Sequence, residues 1–412
     1  MKLLAISYYA PPQLTPQAIQ VARLLYHLDA QVTLVHGRDP DCGDGYHQYP
    51  DFFKRVAALP VLGPGARVTG MARSAARRML PFFETCPDRF GRWRRAALPP
   101  ALAAIAAARP DAIISFGMPM SDHLLALAIK RRTGLPWLAH FSDPWADNPF
   151  HETSWAEHQV NRRLERRVVA GADGFLFTSE RTRALVMGKY SGPWRAAAGV
   201  LPHAWDMRGV ADPAPVGQTK VIRHIGALYG ARSPEPLFKA LALIVARQPR
   251  ALDGIAFELV GPMAPAFLAS TRLASLPPGL LTVRGQVGYL DALALARDSA
   301  ALLVIDAPSD ADSVFLPSKL VDYIGARRPV WAITPPGTTA ELVAEWSGGV
   351  HTCADPAEPA AVARMLLAEC ARLPGPAPHG PDHVAQRFAP YRVAQSLAGF
   401  VHDAIARSRV GR

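Results

Sequence analysis

The sequence predicts an α/β chain built from two doubly wound parallel-sheet domains in series. Three observations carry this. Short apolar runs alternate with stretches of helical spacing from Lys2 as far as Ser347. Glycine and proline punctuate most junctions between them. A polar stretch bearing proline and glycine, Met207 to Thr219, splits the alternation in two. The 412 residues suffice for more than one core, and a 50% hydrophobic content excludes a mostly disordered chain.

The elements follow in order. Lys2 to Ser7 is a buried strand ending at Tyr8-Tyr9-Ala10-Pro11-Pro12. Ile19, Ala22, Leu25 and Leu28 place one helical face on Gln17 to Leu28, and Gln31 to His36 is the next strand. Strand, helix, strand is the unit of a parallel sheet. A helix is expected over Ala101 to Arg109, then strand Ala112 to Phe116 and helix Asp122 to Thr133, stopped by Gly134 and Pro136. Strand Trp137 to Phe141, helix His151 to Ala170, strand Gly174 to Thr178 and helix Glu180 to Lys189 complete the first domain, residues 1–206.

Beyond the linker, 207–219, a second series fills residues 220–388. Its strands are expected at Val221 to Ile225, Phe257 to Val260, Leu281 to Arg284, Ala301 to Ile305 and Val330 to Ile333. Its helices are expected at Pro234 to Arg247, Leu290 to Asp298, Lys319 to Ala326 and Thr338 to Ser347. Arg392 to Arg407, within the tail 389–412, is amphipathic and helical. A ligand is expected in the cleft between the two domains.

Composition excludes several classes. No apolar run reaches 18 residues, so a membrane-spanning helix is not expected. The run after Met1-Lys2 is too short for a signal peptide and lacks a small-residue cleavage site. Cys42, Cys86, Cys353 and Cys370 are scattered without a CxxC, which supports neither a disulfide framework nor a zinc site and fits the cytoplasm. The net charge is +11, and it is uneven. Between Phe53 and Pro100 lie ten basic residues, Lys54, Arg55, Arg67, Arg73, Arg77, Arg78, Arg89, Arg92, Arg94 and Arg95, against only Glu84 and Asp88. Such a patch favours an anionic partner, whether phospholipid, lipid phosphate or nucleic acid; arginine-rich codon usage would also produce it.

Motifs narrow the chemistry. GxGxxG after the first strand, GxxxxGK[ST] and GxSxG are all absent, which removes support for nicotinamide cofactors, P-loop phosphoryl transfer and α/β-hydrolases. In Ser313 to Ile333, Ser318 is placed to cap a helix whose free N–H groups attract phosphate. Lys319 adds a cation in the first turn, and Asp322 stands one turn on. A cation for phosphate beside a carboxylate for a ribose diol suits a nucleotide; a capped surface helix with a Lys–Asp pair would read the same. In His224 to Pro234, a strand ends at Gly226, and Arg232 precedes a helix capped by Ser233 with Pro234 first. Its planar guanidinium suits a diphosphate, though an ordinary βα turn also has this form. His140 and Asp143 follow a strand directly, and His123 opens a helix after another; all three are candidates for contact with substrate.

Taken together, these segments resemble the family 4 glycosyltransferases of GT-B fold, over nearly the whole chain. The resemblance rests on the SYYAPP loop, Arg109-Pro110-Asp111-Ala112, the FSDPW segment, Ala172-Asp173-Gly174, Leu201-Pro202-His203, His224-Ile225-Gly226 and FLPSKLVDYIGARRP. The last resembles the family's E-x7-E helix region, with Asp322 at the second Glu and Val314 at the first; Gly226-Ala227 stands where the family has Gly-Arg. PSKL…DY…RP is nearer the branch that builds bacterial surface polysaccharides.

The resemblance implies two Rossmann-like domains facing each other across a cleft, the first binding the acceptor, the second the donor, with the C-terminal helix returning to the first. It implies retaining transfer from a UDP- or GDP-sugar co-substrate, with no metal and no further cofactor. Asp310-Ala311-Asp312 spells DxD but reads as loop polarity. Arg232, Lys319, Ser318 and Gly226 are then expected at the diphosphate, Asp322 at the ribose, and Asp143, His140 and His123 in catalysis. The acceptor is a saccharide or a lipid-linked saccharide, with 54–95 lying on an anionic membrane at the inner face of the cell membrane, the phenylalanines Phe82, Phe83 and Phe90 and Trp93 in its interface. Nucleic acid is not expected, since no helix-turn-helix, RRM or OB signature accompanies the patch. Two alternatives stay open: a nucleotide-sugar-binding protein without catalysis, and a sugar-nucleotide epimerase of the same fold using His123, His140, Asp143 and His203.

Overall fold

The computed structural model describes residues 1–38, 48–62, 86–150, 154–211, 220–373 and 380–410. They form two compact units, the first Met1–Pro202 with Pro390–Arg412, the second His203–Ala389.

The first unit is built on β1 (Lys2–Ile6), α1 (Pro16–His27), β2 (Gln31–Arg38), α2 (Phe52–Arg55), β3 (Val56–Leu62), α3 (Gly91–Ala108), β4 (Ala112–Gly117), α4 (Ser121–Thr133) and β5 (Trp137–Phe141). It continues through α5 (Trp155–Val169), β6 (Gly174–Phe177), α6 (Glu180–Met187), α7 (Gly192–Ala196) and β7 (Ala198–Val200). The strands make one parallel sheet in the order β3-β2-β1-β4-β5-β6-β7. Every residue of β4, β5 and β6 is buried, as befits central strands covered on both faces. The order reverses between β1 and β4, so the loops after these strands open at the switch point.

Local chemistry sets the helix starts. Thr15 caps α1 by accepting from Ala18 N, and Ser154 with Glu157 closes a full capping box on α5. The helix expected from Ala101 begins ten residues earlier and runs through Pro99 and Pro100. Trp93, Ala97 and Ala101, spaced by four, lie buried against the sheet, and this packing outweighs the cost of two prolines. Trp93 is therefore core, 2% exposed, with its ring 5.2 Å from that of Tyr8. That corrects its expected place in a membrane interface. Of the basic stretch 54–95, Lys54, Arg55, Arg89, Arg92 and Arg95 are exposed, while Arg67, Arg73, Arg77, Arg78, Phe82, Phe83 and Glu84 lie outside the described residues.

The second unit carries β8 (Lys220–Ile225), α8 (Glu235–Arg247), β9 (Ile255–Val260), α9 (Pro265–Leu268), α10 (Thr271–Ala274), β10 (Leu281–Arg284), α11 (Tyr289–Arg297) and β11 (Ala301–Ile305). Then come α12 (Ser318–Ala326), β12 (Val330–Ile333), α13 (Thr338–Ser347), β13 (Cys353–Ala354), α14 (Pro359–Cys370) and α15 (Asp382–Arg387). The order β10-β9-β8-β11-β12-β13 repeats the plan of the first sheet, with its switch point between β8 and β11.

The unit boundary falls at Pro202, not at 206. The cause is Trp205, which donates from its backbone to Phe388 O (3.1 Å) and from Nε1 to Ala385 O (2.8 Å). Of the expected linker 207–219, residues 212–219 lie outside the described residues. The final helix, α16 (Pro390–Val410), belongs to the first unit and packs on α1, β5 and β6.

Candidate functional site

At the switch point of the second sheet, β8 delivers His224 and Gly226, the following loop delivers Arg232, the end of β11 delivers Asp306, and the first turn of α12 delivers Lys319. Gly226 has φ +148°, and a Cβ built on it would sit 2.8 Å from Lys319 Nζ. Only a residue without a side chain lets the ammonium lie over the end of β8. Lys319 Nζ is 3.4 Å from His224 Nε2. The Arg232 guanidinium approaches Asp306 at 3.9 Å, yet its buried Nε has no hydrogen-bond partner. Asp306, 7% exposed, also accepts from Thr334 Oγ1 at 3.2 Å.

Two cations thus share a half-buried place with one carboxylate. Desolvation and the nearby Arg232 charge push Lys319 down to about 7, with Asp306 opposing. Burial, with the Lys319 charge next, holds His224 well below its ordinary value, so it is neutral. A site with this charge imbalance is short of an anion.

Ser318 is not the helix cap. Pro317 occupies that position and no side chain caps α12, so Ser318 is the first helical residue. Proline supplies the extended entry instead, φ −64° and ψ 129°, and leaves the first-turn amides without a side-chain acceptor. On α8, Pro234 is the cap rather than the first helical residue, and Ser233 Oγ accepts from Glu235 N at 3.2 Å. Asp322 lies one turn after Lys319, half-buried.

The first unit places its three candidates differently. His123 is fully buried, with Nδ1 2.8 Å from Ser115 Oγ, which accepts from Trp137 Nε1 at 2.8 Å. Its ring packs on Phe141, and burial drives it down to about 3. This corrects its expected contact with substrate: at position three of α4 it faces the core. His140 is 6% exposed and pushed to about 4 by burial, so it is a neutral imidazole. Asp143 is half-buried on the loop after β5. That loop is anchored from behind by Glu165, itself fully buried, which accepts from Ala146 N (3.0 Å), Tyr190 Oη (2.6 Å) and Lys189 Nζ (2.6 Å). Trp145 Nε1 donates to Asn161 Oδ1 at 3.0 Å in the same anchor.

The structure thus joins Gly226, Arg232 and Lys319 in one cluster, and adds His224 and Asp306, which the motif reading did not select as site residues. Asp306 immediately follows an apolar strand, the position from which sheet-edge loops reach ligands, and that placement was its signal. Among the described residues no group of three or more His, Cys, Asp or Glu stands close enough to hold a metal ion.

Residues 15–202 match the family model described as Glycosyl transferase 4-like domain. No curated protein sequence matches the chain. Among solved structures, HepE of Anabaena in complex with UDP and glucose aligns with a TM-score of 0.66 and 14% identity, covering 98% of this chain and 99% of that one. Sucrose-phosphate synthase from Thermosynechococcus elongatus gives a TM-score of 0.66 at 16% identity, again over 98% and 99%. The lipopolysaccharide outer core galactosyltransferase WaaB in its apo form gives 0.59 at 13% identity over 98% and 99%. Matching sheet orders, a first unit that matches the family's sequence pattern and neighbours aligned end to end lead to one conclusion: the chain has the GT-B fold, and its residues 15–202 are similar to a glycosyl transferase 4-like domain.

Proposed function

We propose that the protein transfers a sugar from a nucleoside diphosphate sugar, with UDP as the base-bearing leaving group, to a saccharide or lipid-linked saccharide acceptor with retention of configuration. The observation that carries this is the anion-deficient cluster of Lys319 and Arg232 beside the uncapped start of α12. Support also comes from HepE, whose structures hold UDP and glucose or UDP-glucose.

In this reading the donor's diphosphate lies against Lys319 Nζ, the free Nε of Arg232 and the first-turn amides of α12. Glycosidic bond cleavage puts a second negative charge on the terminal phosphate of the leaving diphosphate. Fixed positive groups in a half-buried site stabilise that charge at little reorganisation cost. Asp322 takes the ribose hydroxyls, and no metal is required. The first unit binds the acceptor, with Asp143 and His140 at its hydroxyl. Retention follows from attack on the face the diphosphate leaves, the departing phosphate taking the acceptor's proton.

The setting we assign is polysaccharide or glycoconjugate synthesis on the cytoplasmic face of an anionic membrane, held through the exposed cations of 54–95. Among the described residues no helix is long and apolar enough to cross a membrane. Val314, where an acid would reach the donor sugar, favours a second reading, a nucleotide-sugar-binding protein without transfer.

A thermal-shift series with UDP, GDP and dTDP and their sugar conjugates, each with and without magnesium, tests the donor site. A metal-independent shift with one base that Asp322→Ala removes supports the reading; no shift with any of them removes it. Release of UDP with a glycosidic product of unchanged anomeric configuration separates transfer from binding alone.

A further inference from the structure

His224 sits at the penultimate position of β8, 1% exposed, between the strand beside it and the first turn of α12. Its Nδ1 is 2.9 Å from Leu303 O on β11. A carbonyl can only accept, so the proton is assigned to Nδ1. In the neutral ring this leaves a lone pair on Nε2, and that atom is the one 3.4 Å from Lys319 Nζ. The charged groups that act on the imidazole are Lys319 and Arg232, both cations, so a second proton on the ring is opposed. Gly226 leaves the space through which the ammonium reaches the ring.

Resting on the donor site proposed above, we propose that His224 is a positioning residue: locked by the Leu303 carbonyl in its Nδ1–H tautomer, it accepts from the Lys319 ammonium and fixes that cation at the end of β8, facing the donor's diphosphate. The long side chain of lysine would otherwise sample many rotamers, and the arrangement removes that freedom before the ligand arrives. His224 itself touches neither the sugar nor the phosphate. It acts only through Lys319, which makes its contribution separable from that of the cation.

The test uses the full chain with His224→Phe, which keeps a ring and removes the acceptor, and His224→Gln, whose side-chain oxygen restores one. The first measurement needs no nucleotide. In protein carrying 13C-labelled lysine, with Lys319 assigned from its absence in Lys319→Arg, the ammonium titrates near 7 in the native chain. Loss of an acceptor for the charged form lowers that value in His224→Phe, and His224→Gln brings it back. An unchanged titration in His224→Phe overturns the proposal. The second measurement is UDP affinity by calorimetry. His224→Phe weakens binding about tenfold in the native background and has no effect when Lys319 is already Met. Equal weakening in both backgrounds means that His224 serves the fold alone and overturns the proposal. A native chain that binds no nucleoside diphosphate, while His224→Phe still shifts the lysine, overturns the donor reading and keeps the link between the two residues.

Discussion

Lys319 Nζ fills the space that a side chain at position 226 would need: a Cβ there would lie 2.8 Å from the ammonium. Glycine at 226 and lysine at 319, 93 positions apart in sequence, therefore act as one device. Gly226→Ala is expected to displace the ammonium and to strain a backbone at φ +148°. UDP affinity should fall by about ten- to a hundredfold, while far-UV circular dichroism stays native. A Gly226→Ala protein that binds UDP as the native chain does would remove Lys319 from the site.

The pH profile of donor binding follows from the same lysine. Its value of about 7 lies below the ordinary range for an ammonium, so the group loses its charge as pH rises through 7. A bound diphosphate favours the charged form, so affinity should be greatest below pH 7 and fall above it, with proton uptake on binding. Stability of the empty protein should move the other way. Between pH 7 and the unfolded lysine's value the unfolded chain binds more protons, so this group's contribution rises with pH. Calorimetry in buffers of different ionisation enthalpy reads the first effect, and urea unfolding the second. Lys319→Arg should flatten both profiles.

Arg232 and Asp306 stand at 3.9 Å, too far for a strong bond and near enough for attraction. The guanidinium is thus held in place with its Nε unpaired. Arg232→Gln should raise the KM for the donor about tenfold or more with a smaller effect on acceptor KM. Asp306→Asn removes the charge that competes with a phosphate for both cations, and should tighten UDP while leaving Thr334 a partner. Initial-rate kinetics with each substrate varied separate these outcomes.

Two stability effects belong to the first unit. Trp93→Ala removes a 2%-exposed ring packed on Tyr8 and should cost about 3–5 kcal/mol. Glu165→Ala strips the acceptor from Ala146 N, Tyr190 Oη and Lys189 Nζ, and should cost about 3–5 kcal/mol. Denaturant unfolding checks both. Arg92→Glu with Arg95→Glu, both on exposed positions of α3, should leave stability nearly unchanged and reduce sedimentation with anionic vesicles. Undiminished sedimentation would remove the membrane surface from the proposal.

Strand and helix order were legible where apolar runs were long and their ends marked. β1, β5, β11 and β12 came from runs such as Ala301 to Ile305, and α1 from its three-residue spacing. β3, Val56–Leu62, was not, because its mostly exposed residues and its Pro60 mark an edge strand that periodicity alone does not separate from a loop. β13 is two residues long, and α14 opens without a capping side chain. The start of α3 was hidden by Pro99 and Pro100, whose local penalty only tertiary packing overrides. In the candidate site, Gly226 was marked by a strand end, and Arg232 and Lys319 by the starts of helices. His123 was overcalled for the same reason: a helix start looks the same whether its third residue faces solvent or core. His224 was undervalued because nothing in one dimension shows that Leu303 and Lys319 meet on either side of its ring.

The closing helix α16 carries a consequence for biosynthesis. Phe400 lies so near Gly199 that a Cβ there would fall 2.3 Å from the ring, and Arg407 Nε donates to Asp173 O at 2.9 Å. Val393, Leu397 and Val401 of the same helix are at most 3% exposed. The ribosome therefore releases the first 202 residues well before the piece that seals them, with the whole of His203–Ala389 translated in between. During that interval β5, β6 and α1 present an uncovered apolar seam. The second unit, continuous in sequence, has no such wait and is able to finish first, although it is made later.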